Sequence, residues 1–414
     1  MSDQPTTVAR DAAPTRFQRA RRWGKRIGLV ALVLVVALGL LVANSGGRWI
    51  DVYANSVHNS DPRPVSASDR ATYDRVPKVD LHADSLLWDR DLAQRNGRGH
   101  VDLPRLLEAG VTVQVFGLVT KVPYGNNYDS NPSDEDALGL VAVLNHWPRS
   151  TWGGIRARAL HQAARLHGYA AASSDQLVVL RTVADLEGVL ARRAAGEPVV
   201  GGLLGLEGLQ VLEDDLAGLD ELFEAGVRMG GLAHFADNEV AGSLSGEDKY
   251  GLTEFGAAAV RRMQELGMII DLAHVSPAAF ADTLAIATRP VVVSHTGVTA
   301  TCPGNRNLSD DQLRAVAANG GVVGIGFWAG AVCGTDAAAI ARAIAHAVAV
   351  AGIDHVGLGS DFDGTTTTPF DVTGLPQLVA AMRDAGLSDA DIHQVLGGNA
   401  LRVLMAALPD PSTP

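Results

Sequence analysis

Cysteine is nearly absent from this chain: its 414 residues include two, Cys302 and Cys333. That excludes a disulfide-stapled scaffold and a cysteine-rich metal site. In an oxidising compartment an even pair can close one disulfide, or both can be buried thiols, and spacing alone decides neither. The body also lacks a basic stripe, and the formal net charge is −12. A nucleic-acid surface needs clustered Lys and Arg, so no nucleic-acid partner is expected. No GxGxxG follows the first strand-like run, which leaves a dinucleotide fold with little support. What is present is 47% hydrophobic content, enough for a large core in one α/β barrel or two smaller domains.

The basic exception is the N-terminus. Residues 1–26 hold seven basic and two acidic residues, which leaves about −17 on the rest of the chain. The uncharged run Ile27 to Ala43 follows, its seventeen residues spanning roughly 25 Å as a helix, with Trp23 and Trp49 on either side. This predicts a basic cytoplasmic tail over 1–26, a transmembrane helix or signal anchor over 27–43 and a polar linker over 44–75. The body of the chain then lies outside the cytoplasm. The alternative is a cleaved signal peptide and a secreted body; against it, the run exceeds an ordinary signal core and VAN and ANS fit a cleavage site only in part. Residues 1–15 and 406–414 read as flexible tails.

Eight apolar runs then alternate with helical segments: 76–81, 111–119, 199–206, 229–233, 268–273, 290–294, 321–328 and 355–360. Continuous apolar strands, each returned by a helix, mean a parallel sheet covered on both faces. Eight such units over 76–405 predict an α/β fold, a (β/α)8 TIM-like barrel; a doubly wound open sheet is the runner-up. The helix starts are signalled by Ser276 before Pro277 and by SDDQL from Ser309. The piece 121–181 exceeds one crossover and predicts an insertion over the barrel mouth, with helices over 136–146 and 155–170.

The informative residues stand where the apolar runs end. His82 and Asp84 follow the first run, Glu207 the third, His234 the fourth, His274 the fifth, His295 the sixth and Asp361 the eighth. Singly, each has an ordinary structural explanation. Together they place four imidazoles and three carboxylates on the rim where barrel enzymes carry out chemistry. His161, His167, His346 and His393 fall in helical segments, and His58 and His100 in polar loops, so none of these is given a role. Imidazole and carboxylate without thiolate suit Zn²⁺ or a similar ion. Seven groups exceed the needs of one catalytic zinc but suit two metals sharing a bridging carboxylate, for which Glu207 is the natural candidate.

The HxD of His82 and Asp84, GLEG, DLAHVS, VVVSHTG, the RN of GNRNLSDDQL, GSDFDG and GGNALRVL occur in this order. Together they resemble the membrane, or renal-type, dipeptidases, which are di-zinc hydrolases on a metal-dependent-hydrolase barrel. The resemblance implies two Zn²⁺ per chain, one held by His82 and Asp84, the other by His274 and His295, with Glu207 bridging. It also implies that His234 contacts substrate and steadies the oxyanion, that Arg306 binds the substrate's terminal carboxylate, and that Asp361 is the acid/base. A Cys302–Cys333 disulfide fits the same family. The FADNEVAGS run after His234 departs from the family's usual Asn-rich run.

The expected activity is dipeptide hydrolysis by a zinc-bridging hydroxide, with the membrane and a dipeptide as partners and a homodimer left open. Two rivals stand beside it. One is a barrel hydrolase for another amide or a lactone; the other is an inactive, membrane-anchored binding protein, against which the full ligand set argues.

Overall fold

The computed structural model describes residues 15–410; of the tails expected at either end, 1–14 and 411–414 fall outside this range, while residues 406 and 407 belong to the helix Asn399–Ala407 and are no part of a tail. The chain divides into two compact units, one ending at Gly46 and the other running from Gly47 onward. In the second, nine parallel strands follow one another: β1 (Val79–Ala83), β2 (Val113–Val119), β3 (Leu177–Val179), β4 (Val200–Glu207), β5 (Val227–Gly231), β6 (Ile269–Asp271), β7 (Val292–Thr296), β8 (Val322–Ile325) and β9 (Val356–Leu358). The hydrogen-bonded order runs β2-β1-β9-β8-β7-β6-β5-β4, and β2 pairs with β4 to close an eight-stranded ring. The expected barrel is the fold found.

The eight ring strands are the eight apolar runs. β3 was not expected: Leu177–Val179 lies beside Val200–Gly202 at the start of β4, while β5 takes the same strand further along, from Leu204. Val79, Leu81, Val113, Val115, Leu203, Met229, Ile269, Val292 and Val322, from seven ring strands, join the last helix in one buried apolar cluster. The barrel is therefore filled by side chains and is not a pore. Ser276 caps the helix Pro277–Ile286, and Ser309 with Gln312 forms a capping box for Asp310–Asn319, as their sequences predict.

Two expectations about the N-terminal part need correction. A helical run extends over Arg16–Ala54 and does not stop at residue 43. No single helix among the described residues is long and apolar enough to cross a membrane; a bent pair, Trp23–Gly39 with Asn44–Ala54, passes that test together. The 44–75 stretch is also more than a polar linker. Its end forms the helix Ala67–Asp74, whose Ser66–Asp69 capping box compensates for poor intrinsic propensity. Asp51 is buried because it pairs with Arg90 (3.1 Å) and Arg98 (2.7 Å) of the barrel unit.

Lys78, just before β1, is buried against the Tyr73 ring, 4.3 Å from its centroid, and donates to the Tyr73 carbonyl. Burial, helped by Arg193, lowers its pKa to about 8. The unfolded chain, with an ordinary lysine, binds more protons between pH 8 and about 10.5, so stability rises with pH across that window. Compared with Lys78→Met, the native chain should gain up to about 3 kcal/mol from pH 8 to 10.5 in denaturant melts.

Candidate active site

The strand ends bring the predicted residues together. His82 belongs to β1, Glu207 ends β4, His295 lies within β7, and His234, His274 and Asp361 each sit three residues beyond β5, β6 and β9. All are buried, as are Asp84 and Arg306. Glu207 is the centre: its Oε1 lies 3.1 Å from His82 Nε2, 3.4 Å from His295 Nε2 and 3.6 Å from His274 Nε2. Its other oxygen lies 3.1 Å from His234 Nε2. Asp84 Oδ1 approaches His82 Nε2 at 3.2 Å.

His274 and Asp361 have φ of 66° and 59°, a left-handed backbone that is costly for residues other than glycine. Surrounding bonds hold both turns. Leu244 N donates to the His274 carbonyl (2.8 Å), and Thr366 Oγ1 donates to the Asp361 carbonyl (2.6 Å). The unusual FADNEVAGS run is part of this frame. Asp237 accepts from Ser243 N, and Asn238 Oδ1 accepts from the Val240 and Ala241 amides.

A second layer was not singled out from sequence. Ser294 Oγ donates to Asp271 and lies 2.9 Å from His295 Nδ1, so Asp271 and Ser294 orient that imidazole. Asp80 accepts from Ser360, whose hydroxyl also contacts the His82 carbonyl. The available signal was a polar residue inside an apolar strand, in VDLHA, MIID and VVS. His100, left without a role, is buried: its backbone N–H donates to Asp363, and its Nδ1 accepts from the Asp363 backbone N–H.

Gly117 of β2 gives Asp84 and His82 their room. A Cβ there would lie 2.1 Å from Asp84 Oδ1 and 2.9 Å from His82 Cε1. Gly117→Ala should therefore lower divalent-metal affinity on the order of 10- to 100-fold in chelator competition, with an unchanged circular dichroism spectrum.

The electrostatics fit a cation site. Burial raises the Glu207 pKa, but His234 and His82 outweigh it and hold the carboxyl well below its usual range. Burial lowers the His82 pKa, yet Asp84 and Glu207 bring it well above an ordinary histidine. Asp84 is pushed up to about 6, chiefly by burial and then by Glu207, and burial takes Asp361 well above the carboxylate range. His274 and His295 are held well below their usual value, first by burial. Their Nε2 atoms face each other at 2.9 Å, while His82 Nε2 and Asp84 Oδ1, although close to each other, make no well-directed hydrogen bond among the described residues. Such buried, inward-facing donor atoms fit divalent metal ions. Three ligand groups can be drawn: His82–Glu207–His295, Glu207–His234–His274 and His82–Asp84–Asp361.

A cavity of about 610 Å³ opens over the cluster. Tyr124, Tyr128, Leu138 and Val141 bring the 121–181 insertion into its wall, as its position predicts. Arg306 also lines it; its Nη2 donates to the His295 carbonyl (2.9 Å) and lies 3.1 Å from His274 Nε2. Cys302 and Cys333 form a disulfide, with Cα atoms 5.2 Å apart.

A closed parallel barrel with histidines and carboxylates gathered at its rim defines a metal-dependent hydrolase. Residues 67–408 match the model of the membrane dipeptidase family (peptidase family M19), and the chain belongs to that family, as a metallo-dipeptidase. Among its relatives, the dipeptidase aclJ of Aspergillus oryzae is 32% identical over 357 residues, covering 80% of this chain and 78% of that one. The dipeptidase tcpJ of Claviceps purpurea is 30% identical over 341 residues, covering 80% and 75%. A Rhodobacter sphaeroides metallopeptidase, crystallised with a phosphinate mimic of the dipeptide L-Ala-D-Ala, superposes with a TM-score of 0.67 at 28% identity, covering 80% of this chain and 99% of that one.

Proposed function

We propose that this chain hydrolyses dipeptides with two Zn²⁺ ions, His82 and Asp84 serving one, His274 and His295 the other, and Glu207 both. The observation that carries this reading is Glu207, one buried carboxylate within 3.1–3.6 Å of four imidazoles. When bound, such metals would supply Lewis acidity and bring the pKa of a water towards neutrality, the chemistry that hydrolysis of an amide needs.

The chain's own residues supply the rest. Arg306 orients the substrate through its terminal carboxylate, the fork geometry that a guanidinium offers and a lysine does not. Its cation also rejects longer peptides whose scissile bond lies further from that carboxylate. His234 donates towards the carbonyl oxygen that becomes the oxyanion, a contact commonly worth about 3 kcal/mol. Asp361, whose burial favours holding a proton, passes one to the leaving amine.

The His234 position supports a second reading, because it also forms a ligand-distance group with Glu207 and His274. His234→Ala should keep two metals per chain if His234 contacts substrate, and lose one if it is a ligand. The wider test is turnover of a dipeptide panel, including D-residues at the second position, beside a cyclic amide and a lactone, with and without chelator. Dipeptide turnover that stops with chelator and returns with zinc is expected. Turnover confined to the amide or lactone, or less than one zinc per chain, would contradict it.

We also propose that the N-terminal run tethers the enzyme to a membrane with its body outside the cytoplasm. The basic residues before Ile27 and the Cys302–Cys333 disulfide support this. Retention in the membrane fraction after alkaline extraction is expected; a soluble mature chain beginning near residue 45 would indicate signal cleavage instead.

A further inference from the structure

The matched family region begins at residue 67, yet the chain before it reaches the cavity. Ile50 lines the cavity together with Leu87, Val119, Val122, Leu138 and Val141. Resting on the dipeptidase reading, we propose that the segment 47–60 completes the substrate cavity and selects dipeptides whose amino-terminal side chain is large and apolar.

The segment is fastened to the barrel and is not a passing linker. Asp51 pairs with Arg90 and Arg98, and Asn55 Nδ2 donates back to Asp51 (2.9 Å). Asn55 Oδ1 accepts from Thr365 N (2.9 Å), and the Ser56 hydroxyl bonds that of Thr367 (2.8 Å). Thr368 N donates to the Ser56 carbonyl, and His58 N to the Thr368 carbonyl. Thr365 and Thr367 follow Asp361 in the loop after β9 and themselves line the cavity. The segment thus holds the loop that carries the proposed acid/base while Ile50 closes the wall.

Which end of the substrate meets this wall follows from the ring. Arg306 comes from the connection after β7, whereas Val119, Val122, Leu138 and Val141 come from the end of β2 and the chain after it. β2 and β7 stand four places apart in the eight-stranded ring, on opposite sides. A dipeptide with its carboxylate at Arg306 and its scissile bond over Glu207 lays its amino-terminal residue towards β2. Among the described residues, the ionisable side chains lining the cavity apart from histidines are Asp84, Glu207, Asp361, Arg306 and two tyrosines, Tyr124 and Tyr128. Of these, Asp84 stands on the β2 side, against Gly117, where the dipeptidase reading commits it to metal, and the remaining wall is apolar. A charged amino-terminal side chain would meet no partner there, and an apolar one is desolvated.

The test uses the full-length, zinc-loaded enzyme with Gly-Ala, Leu-Ala and Phe-Ala beside Ala-Gly and Ala-Leu. Wild type should prefer Leu-Ala to Gly-Ala by about tenfold or more in kcat/KM; Ile50→Asn should cut that ratio about tenfold and move the Ala-Leu to Ala-Gly ratio less than about twofold. Ile50→Trp, which fills the wall, should lower the Phe-Ala to Gly-Ala ratio, so a second variant reads the same contact by crowding. A Leu-Ala to Gly-Ala ratio unchanged by either substitution, in proteins of normal metal content and melting temperature, would overturn the proposal while leaving dipeptide hydrolysis standing. If no dipeptide is turned over by wild type, the underlying reading fails and this one with it.

Discussion

Glu207→Gln should leave a folded barrel that has lost dipeptide hydrolysis by roughly 10³-fold or more in kcat/KM, since a metal Lewis acid supplies several kcal/mol to such a transition state. Gln matches the shape of Glu, so the loss isolates charge. At this position the carboxylate faces the Nε2 atoms of His82, His234, His274 and His295, with both oxygens engaged. An amide offers one weak acceptor and adds two N–H donors, which would compete with metal for the same imidazole lone pairs. Metal content by mass spectrometry should fall in step with activity. Near-native activity with two metals per chain would show that Glu207 only packs among the histidines.

Arg306→Lys carries the second large effect. Charge is kept but the planar fork is lost, so KM for dipeptides should rise about 10- to 100-fold, the range expected for a charge-assisted hydrogen bond of 1.5–3 kcal/mol. Dipeptide amides, which lack the carboxylate, should change far less, so discrimination between acid and amide should collapse. Arg306 also donates to the His295 carbonyl and lies against His274 and the Trp328 ring. A parallel fall in metal content would therefore assign the residue to holding the histidines. The KM effect with metal retained assigns it to the substrate.

The ring strands were legible because each is an apolar run buried along its whole length, with a helix to return it. β3 escaped because three residues, Leu177–Val179, carry too little periodicity to separate from a loop. The rim residues were legible by their position after each run, a topological signal that does not depend on local conformation. What sequence could not reveal is how they share contacts. Besides facing its expected partner His274, His295 stacks on His82 and forms a ligand-distance group with His82 and Glu207, and Asp361 joins the His82–Asp84 group.

These contacts depend on left-handed turns at His274 and Asp361, which residue type does not predict, and on the missing Cβ at Gly117, whose neighbours Asp84 and His82 only the fold reveals. The stretch before residue 67 differs from the expected linker for a related reason. Its polar composition suggested solvent, but Asp51, Asn55 and Ser66 spend their polarity on the barrel and on a helix cap.

The central claim is that the rim cluster is a two-metal hydrolytic site. It is tested most directly by titrating the metal-free, full-length enzyme with Zn²⁺ while following hydrolysis of one dipeptide. Activity should climb with added metal and level off at two Zn²⁺ per chain, with no such rise in Glu207→Gln. Dipeptide hydrolysis that persists in the metal-free enzyme, or that saturates below one Zn²⁺ per chain, would contradict it.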